Sequence, residues 1–326
     1  MKNSAAPTVA PRFGFVLFSA FSIMLLPFAL PAGASDVNTD AGTSGFAFLK
    51  IESAGRPVAM GGAFTGLADD EASLYYNPAG VARFEERRFI LGYHNYFEDI
   101  QSGFVGYIHP LALDRVLAFH VNYLNYGTFT QTDRLGNVEG EFGGGDIVFA
   151  GTFALRRTYQ LAFGVTAKFI YEKIQDYSAT GLALDVGARY MSNRERWSAG
   201  LMIQNLGTQL SSLGEGEKDG LPTTIRAGGS FKPRGLNLLL AGDLIVPFDN
   251  DINVALGAEY VRFKPLYLRL GWNSFGSNYR TEDSGDDMAG FSFGVGVDYK
   301  TLQFSYAYSP AADLGESHRV TLTGGI

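Results

Sequence analysis

The chain has no cysteine among its 326 residues. It therefore forms no disulfide, carries no thiol nucleophile and offers no cysteine-ligated zinc or iron–sulfur site. Positive charge is also scarce, because 26 lysines and arginines face 33 aspartates and glutamates, giving a net charge of −7. A nucleic-acid binder needs a basic surface to displace counterions from phosphates, so this composition argues against nucleic acid as a partner.

Long hydrophobic runs are rare as well. The mean hydropathy of +0.02 is far too low for a helical protein with many membrane spans of about 20 apolar residues each. One apolar run, 13–30, follows Lys2 and Arg12 and precedes small residues at 32–34. This order predicts a secretory signal peptide over residues 1–34, with an N-terminal anchor helix as the alternative.

Glycine and aromatic residues are what the chain has in excess. It contains 41 glycines and is 14% aromatic, yet it has no three-residue glycine repeat and remains 46% hydrophobic. Collagen and intrinsic disorder are thereby excluded. The profile favours an all-β protein, either soluble or barrel-forming.

From Arg87 onward, apolar and polar residues alternate, which is the pattern of strands with one apolar face. Fourteen segments follow one another, most of them about nine to thirteen residues long; they begin near 87, 102, 115, 146, 159, 179, 196, 222, 236, 252, 266, 289, 301 and 318. A tilted membrane-spanning strand needs about 9–11 residues, and bacterial single-chain barrels have an even strand number. We therefore predict a 14-stranded antiparallel transmembrane β-barrel over residues 87–326.

The connections between the segments alternate in length and in charge. Short connections such as 156–158 and 300–301 carry arginine or lysine, whereas long ones such as 127–145 and 275–288 carry most of the acids. In an outer-membrane barrel, short turns face the periplasm and longer loops face outward. A soluble β-sandwich has no reason to sort its connections in this way.

The strand phase opposite to the apolar one places ten charges in the predicted lumen, five of each sign: Lys168, Glu172, Asp185, Arg189, Arg226, Asp243, Glu259, Arg269, Asp298 and Arg319. Opposite charges on neighbouring strands attract each other, so we expect a cross-strand paired network. Two interpretations stay open at this point, structural packing of the lumen and a substrate path.

The segment before the barrel, residues 35–86, is apolar and rich in glycine but does not alternate. Such a segment needs a buried place, so we predict an N-terminal plug inside the barrel mouth. We expect a short helix over 72–76, with Asp70 as its N-cap. Pro78 disfavours helical geometry at Asn77, so the helix should end there, and Gly80 should release the chain.

Five short motifs lie in this segment: Gly42-Thr43-Ser44-Gly45, Phe48-Leu49-Lys50-Ile51, Ala59-Met60-Gly61-Gly62-Ala63, Ala68-Asp69-Asp70 and Tyr76-Asn77-Pro78-Ala79-Gly80. Together they resemble the N-terminal signature of the PorV/PorQ-type outer-membrane proteins, which belong to the wider group of FadL-like transporters. The resemblance implies a fourteen-stranded barrel whose plug contains Asp69, Asp70, Asn77, Pro78, Ala79 and Gly80. The chain departs from the usual pattern by ending on Ile326 rather than on an aromatic residue.

The resemblance also implies two roles. PorV-like members receive secreted cargo proteins in type IX secretion, which makes cargo and export-machine subunits the expected partners. FadL-like members pass long-chain fatty acids or aromatic hydrocarbons, which makes hydrophobic small molecules the expected partners. Outer-membrane lipid and lipopolysaccharide surround the barrel in either case.

No motif in the sequence carries a recognisable reaction. The four histidines lie far apart, and no nucleophile, base and orienting group can be proposed from spacing, so we predict no enzyme, no cofactor and no metal site. Gly143-Gly144-Gly145 lacks the Lys-Ser/Thr helix start of a phosphate-binding loop and is expected to provide flexibility in a turn or in the plug. The acidic run 282–287 lacks the ligand spacing of a calcium loop. We expect a solvated outer loop there, with weak divalent bridging to lipopolysaccharide as the alternative.

These observations lead to one main hypothesis and two alternatives. The main hypothesis is a PorV/PorQ-type barrel of the bacterial outer membrane that takes part in protein export or surface attachment, because acidic outer loops and a charge-balanced lumen suit a protein-handling surface. The first alternative is a FadL-like channel for long-chain fatty acids or other hydrophobic molecules, which should show a continuous apolar pocket between residues 42–86 and the inner wall. The second is a soluble, exported, sugar-binding β-sandwich.

Overall fold

The computed structural model describes residues 39–97, 100–214, 216–276, 288–312 and 315–326. The predicted signal peptide and the acidic run 282–287 lie outside the described residues.

The described residues hold two short helices, two 3₁₀ helices and fourteen strands. The helices are α1 (Gly55–Ala59) and α2 (Ser73–Tyr76), and the 3₁₀ helices span Ala47–Lys50 and Pro78–Arg83. The strands are β1 (Arg88–Asn95), β2 (Gln101–Ala112), β3 (Arg115–Thr132), β4 (Val138–Arg156), β5 (Leu161–Ile174), β6 (Tyr177–Met191), β7 (Trp197–Ser211), β8 (Thr224–Phe231), β9 (Leu238–Pro247), β10 (Asn253–Tyr260), β11 (Leu266–Asn273), β12 (Phe291–Tyr299), β13 (Leu302–Pro310) and β14 (Glu316–Gly325).

The strands form one closed antiparallel sheet. Each strand pairs with its neighbours in sequence, and β1 pairs with β14 from Arg88 opposite Gly325 to Asn95 opposite His318. Closure pairs the backbone groups that an open sheet would leave unpaired at its edges, which is the condition for crossing lipid. The predicted 14-stranded transmembrane β-barrel is thus confirmed. No helix among the described residues is long and apolar enough to span a membrane.

The two faces of the sheet have opposite chemistry. Large apolar side chains point outward and are exposed around the whole barrel, for example Leu91, Phe119, Phe149, Phe163, Leu184, Leu201, Leu244, Leu256, Leu270 and Phe304. Buried charged side chains such as Lys168, Asp185 and Arg269 point inward. An apolar exterior around a polar interior is typical of a barrel that faces lipid.

The barrel is taller on one side. We call the rim where β1 begins and β14 ends the inner rim, and the opposite rim the outer rim. At the outer rim, β2 pairs with β3 only as far as Asn125, whereas β3 continues beside β4 to Thr132. The prediction of a loop over 127–145 is therefore wrong, since only 133–137 connect the two strands. Gly143-Gly144-Gly145 belongs to β4 and forms no turn. Because glycine has no side chain, the alternation of apolar and polar residues does not reveal the strand at this point.

The inner wall and the plug share two apolar clusters. One joins Met60, Phe64, Leu67, Leu74 and Tyr76 of the plug to wall residues such as Ile90, Phe104 and Ile108. The other joins Phe46, Phe48 and Leu49 of the plug to wall residues such as Leu124, Val148 and Ile170. The plug therefore lies inside the barrel as part of its core.

The local structure of the plug differs from the prediction at the start of α2. The N-cap is Ala72 and not Asp70, and the helix begins at Ser73. Asp70 instead accepts the Ala72 N–H through Oδ1 at 2.8 Å, while its Oδ2 points to Arg56. The far end follows the prediction, because α2 ends at Tyr76 before an extended Asn77.

Gly80 does not release the chain as expected. It lies inside the 3₁₀ helix that Pro78 begins and that Asn77 caps by accepting the Ala79 N–H at 3.1 Å. A Cβ at position 80 would stand 2.5 Å from the Ala68 carbonyl oxygen. Close packing within the plug is therefore what requires a glycine here.

Candidate functional site: the plug and the inner wall

The plug has two parts, the outer plug segment (residues 39–54) and the inner plug segment (residues 55–83). The backbone of the inner plug segment lies directly against glycines of the wall. A Cβ at Gly164 would stand 2.3 Å from the Pro78 carbonyl carbon, and one at Gly200 would stand 2.2 Å from the Thr65 carbonyl oxygen. Part of the glycine excess in the sequence thus serves close contact between plug and wall.

Arg56 of α1 is the centre of the first ionic contact. Its Nη1 lies 2.6 Å from Asp69 and 2.9 Å from Asp70, and its Nε lies 2.8 Å from Glu259 on β10. Glu259 in turn accepts a hydrogen bond from Arg269 Nε on β11 at 2.7 Å. One arginine therefore joins two acids of the plug to the wall.

Asp69 and Asp70 share Arg56 but differ in pKa. Burial by itself would raise the pKa of Asp69, but the charges of Arg56 and Arg83 outweigh burial and lower it to about 2. Burial raises the pKa of Asp70, and the adjacent charge of Asp69 adds to that rise, while Arg56 offsets only part of it. Asp69 is thus the acid that the Arg56 contact stabilises in its ionised form.

Arg226 of β8 is the centre of the second ionic contact. Its Nη1 lies 3.2 Å from Glu52, and its Nη2 donates to the Gly62 carbonyl at 2.6 Å and lies 3.6 Å from Asp243. Asp243 Oδ2 also accepts the backbone N–H groups of Phe64 and Thr65, at 3.1 and 2.8 Å. The contacts with Gly62, Phe64 and Thr65 fix the middle of the inner plug segment to β8 and β9, and the contact with Glu52 holds the end of the outer plug segment.

Asn77 and Arg189 attach the plug to β6. Asn77 Nδ2 donates to the carbonyls of Thr65 and Ala188, at 2.8 and 3.1 Å. Arg189 Nε donates to the Gly66 carbonyl at 3.3 Å. The predicted motif residues Pro78 and Ala79 follow at once in the 3₁₀ helix and are buried, so the motif holds the plug to the wall.

Lys168 and Asp185 form an ion pair of the wall itself. Lys168 Nζ lies 2.7 Å from Asp185 Oδ2 and donates to Asn205 Oδ1 at 2.8 Å. Asp185 Oδ1 accepts the Asn205 N–H at 2.8 Å. The register between β6 and β7 shifts here, and Asn205 has a left-handed φ of 57°.

The remaining predicted charges have other environments. Arg319 Nε donates to the Glu52 carbonyl at 2.8 Å. Asp298 accepts hydrogen bonds from Tyr267 and from Gln303. Glu172 is half-buried and forms no ion pair with any described residue.

The expected cross-strand network therefore forms only in part. Three pairs cross between strands: Lys168–Asp185, Arg226–Asp243 and Arg269–Glu259. Sequence reasoning missed Glu52 and Arg56, which supply the partners from the plug. A signal was present, since Glu52 and Arg56 are charges in an apolar, glycine-rich segment for which we predict a buried place.

The outer plug segment is attached mainly at the outer rim. Ser44 and Lys50 both donate to Asp249 in the connection after β9. The Gly45 N–H donates to the Gly220 carbonyl, in the connection after β7, at 3.0 Å. Deeper in the barrel, Ser53 Oγ lies 2.8 Å from Ser102 Oγ of β2.

Two cavities accompany this arrangement. One of about 160 Å³ lies above the plug and is lined by residues such as Glu52, Gly62 and Arg319. The other, an open groove of about 720 Å³, follows Gly143-Gly144-Gly145 and is also lined by Leu124 and Asp146. Neither is the continuous apolar pocket along residues 42–86 that the channel hypothesis predicts, since plug and wall are packed together. Among the described residues, no three His, Cys, Asp or Glu side chains come together as a metal site would require.

Comparisons with known proteins bear on the fold. No model of a protein family and no curated protein matches the chain. Among solved structures, the toluene transporter TodX of Pseudomonas putida is similar with 14% identity and a TM-score of 0.57, over 84% of this chain and 99% of that one. The monoaromatic hydrocarbon channel CymD is similar with 10% identity and a TM-score of 0.56, over 84% of this chain and 97% of that one. A FadL homologue of Pseudomonas aeruginosa is similar with 12% identity and a TM-score of 0.51, over 83% of this chain and 97% of that one. At such identities the likeness concerns the fold, and the chain has the barrel fold of the FadL-type outer-membrane channels.

Proposed function

We propose that the protein is an outer-membrane channel for hydrophobic small molecules in which the outer plug segment is the moving part. The similar structures named above include a toluene transporter and a monoaromatic hydrocarbon channel. The apolar exterior of the barrel and the predicted signal peptide support a place in the outer membrane, and nothing in this role requires catalysis.

The observation that carries the proposal is the apolar contact of the outer plug segment. Phe46, Phe48 and Leu49 pack against a wall patch of Leu124, Val148, Ala150, Ile170, Ala179 and Ala183. If the segment withdraws, this patch becomes an apolar surface that faces the lumen. An apolar solute then has a wall to follow, and that wall reaches the open groove at Leu124.

The attachment of the outer plug segment is also the weaker one. In the pair of Lys50 with Asp249, the lysine side chain is 36% exposed and the aspartate side chain is 7% exposed, so only the lysine is open to solvent. Withdrawal of residues 39–51 breaks this pair and the packing of Phe46, Phe48 and Leu49. Withdrawal of the inner plug segment breaks the ion pairs of Arg56 and the backbone contacts with wall glycines, so we expect it to cost more free energy.

The protein-export role remains the second hypothesis. It depends on the motif resemblance over residues 42–80 and on acidic outer loops, several of whose acids lie outside the described residues. None of the solved structures named above is a PorV or PorQ protein. Mass spectrometry of the gently extracted protein separates the two roles, because co-purifying secreted proteins with a shared C-terminal domain support export and enriched hydrocarbons support the channel.

A disulfide lock tests the channel directly, since the chain contains no cysteine. In S53C/S102C the new thiols replace hydroxyls 2.8 Å apart and tie the plug to β2. In the control T152C/T166C the hydroxyls lie 2.7 Å apart and both belong to the wall. We expect oxidised S53C/S102C to lower uptake of labelled toluene into proteoliposomes at least severalfold and dithiothreitol to restore it.

The outcomes distinguish two failures. If the unmodified protein gives no uptake above protein-free vesicles, the channel proposal is wrong. If uptake occurs but oxidised S53C/S102C behaves like oxidised T152C/T166C, the plug is not the moving part.

A further inference from the structure

Three polar side chains on the inner face of β1–β3 are buried without partners. His94, His120 and Asn122 have exposed fractions of 0%, 4% and 5%. Both ring nitrogens of His94, Nδ1 of His120 and Oδ1 of Asn122 form no hydrogen bond within the described part of the chain. Buried polar groups are hydrogen-bonded in the large majority of cases, so four unpaired atoms on adjoining strands require an explanation.

The strand register places these side chains together beside the proposed path. Asn122 stands opposite Phe104 on β2 and opposite Val148 on β4. His120, two residues along the same face, stands opposite Ala150, and its ring lies 5.2 Å from that of Phe104. Val148 and Ala150 belong to the apolar patch that the outer plug segment covers.

We propose that His120 and Asn122 bind the hydroxyl group of an apolar solute, such as a phenol or a long-chain alcohol, while His94 offers a second contact nearer the outer rim. This inference rests on the proposed channel function and names the class of molecule that the channel prefers.

The chemistry of the unpaired atoms selects a hydroxyl group. Asn122 Oδ1 only accepts hydrogen bonds, and a neutral imidazole has one donor and one acceptor nitrogen. A carboxylate only accepts, so it leaves Asn122 Oδ1 unpaired, and a plain hydrocarbon leaves every atom unpaired. A hydroxyl group both donates and accepts. The strand pairing leads from His120 across Ala150 to Lys168 on β5, whose charge is already paired with Asp185 at 2.7 Å. Lys168 therefore does not favour a carboxylate over a hydroxyl group.

Binding of three matched probes tests this preference. The probes are naphthalene, 1-naphthol and 1-naphthoate, which share one apolar body and differ in the polar group. The net gain from one hydrogen bond corresponds to about a tenfold difference in affinity. We expect the detergent-solubilised full chain to bind 1-naphthol about tenfold more tightly than naphthalene, and to show no such gain for 1-naphthoate.

Two variants locate the effect and one serves as control. In Asn122→Leu and His120→Phe we expect the ratio of the affinities for 1-naphthol and naphthalene to fall to about one. Removal of an unpaired buried polar atom should also leave the thermal midpoint equal or higher. The control T152V/T166V removes two buried wall hydroxyls that already bond each other at 2.7 Å, and it should keep the preference.

The results separate the inference from the function on which it rests. Equal binding of naphthalene and 1-naphthol by the unmodified protein overturns the hydroxyl site but leaves the channel intact. A preference that survives in both Asn122→Leu and His120→Phe also overturns it. Failure to bind any of the probes counts against the channel as well.

Discussion

The inner and outer plug segments belong to one continuous stretch of chain, yet they are attached to the barrel by different means. The inner plug segment places its backbone against wall glycines and against Arg226, and its charges in contacts around Arg56. The outer plug segment meets the wall through apolar side chains and meets the outer rim at Asp249 and Gly220. Its one ionic contact with the inner wall is that of Glu52 with Arg226, close to its junction with the inner plug segment. Backbone contact at glycines cannot slide without a clash, whereas side-chain contacts at a rim can be exchanged for water. The difference assigns a structural role to one segment and mobility to the other.

Removal of Arg56 is the strongest test of this difference between the two plug segments. In Arg56→Met, Asp69 and Asp70 lose the only ion-pair partner that the described residues give them, and Glu259 keeps Arg269 alone. Leaving buried charges without a partner costs about 3–5 kcal/mol. We expect a large drop in the temperature at which the folded band on SDS gels converts to the unfolded one, together with protease cleavage in the inner plug segment.

Lys50→Met is the matched change in the outer plug segment. Its partner Asp249 lies at the outer rim and keeps the Ser44 hydroxyl as a donor when the partly exposed lysine is removed, so the loss of stability should be smaller than in Arg56→Met, which affects three carboxylates. Toluene uptake should rise because the segment is released more easily. Equal losses of stability from Arg56→Met and Lys50→Met would contradict the division of the plug.

A glycine substitution in the wall tests the same difference, with an expected loss of stability smaller than that of Arg56→Met. In Gly164→Ala the new methyl group meets Pro78 and Ala79 backbone atoms at 2.3–2.5 Å. Overpacking of this kind costs about 1–3 kcal/mol. In the control Gly151→Ala the new methyl group meets only the Phe119 ring at 3.7–3.8 Å, and the thermal midpoint should hardly change. If both variants melt alike, close backbone contact is not what fixes the inner plug segment.

The wall was predictable from sequence because its signal is repeated and local. Alternation in segments such as Leu161–Ile174 reports which side chains face lipid, and the sum over many strands yields the barrel. The prediction failed at Gly143-Gly144-Gly145, where β4 has no side chains with which to alternate. The sequence predicts a loop over 127–145 because the alternation of apolar and polar residues stops there, although the hydrogen bonds between the strands continue.

The site was predictable only on the wall side. The inward phase identified Arg226 and Glu259, but their partners Glu52 and Arg56 lie far away in sequence, in a segment without periodicity. Long-range pairing of this kind depends on the path that the plug takes through the barrel, and no local sequence pattern encodes that path. The same limit explains the error at Asp70, whose side chain turns partly to Arg56 instead of capping α2.

The two aspartates bound by Arg56 allow the finest test, because their ionisation changes the stability of the fold in opposite directions. The pKa of Asp69 is lowered to about 2, so the fold favours its ionised form by about 2 kcal/mol relative to an ordinary aspartate. This stabilisation is present above about pH 4 and is lost as the pH falls toward 2. The pKa of Asp70 is raised, so ionisation of Asp70 opposes folding at neutral pH. Asp69→Asn should therefore lower the thermal midpoint at pH 7 and flatten its decline between pH 4 and 2, whereas Asp70→Asn should leave the midpoint unchanged or raise it. A larger loss from Asp70→Asn than from Asp69→Asn would show that Arg56 stabilises the other acid, and the account of the first ionic contact would have to be reversed.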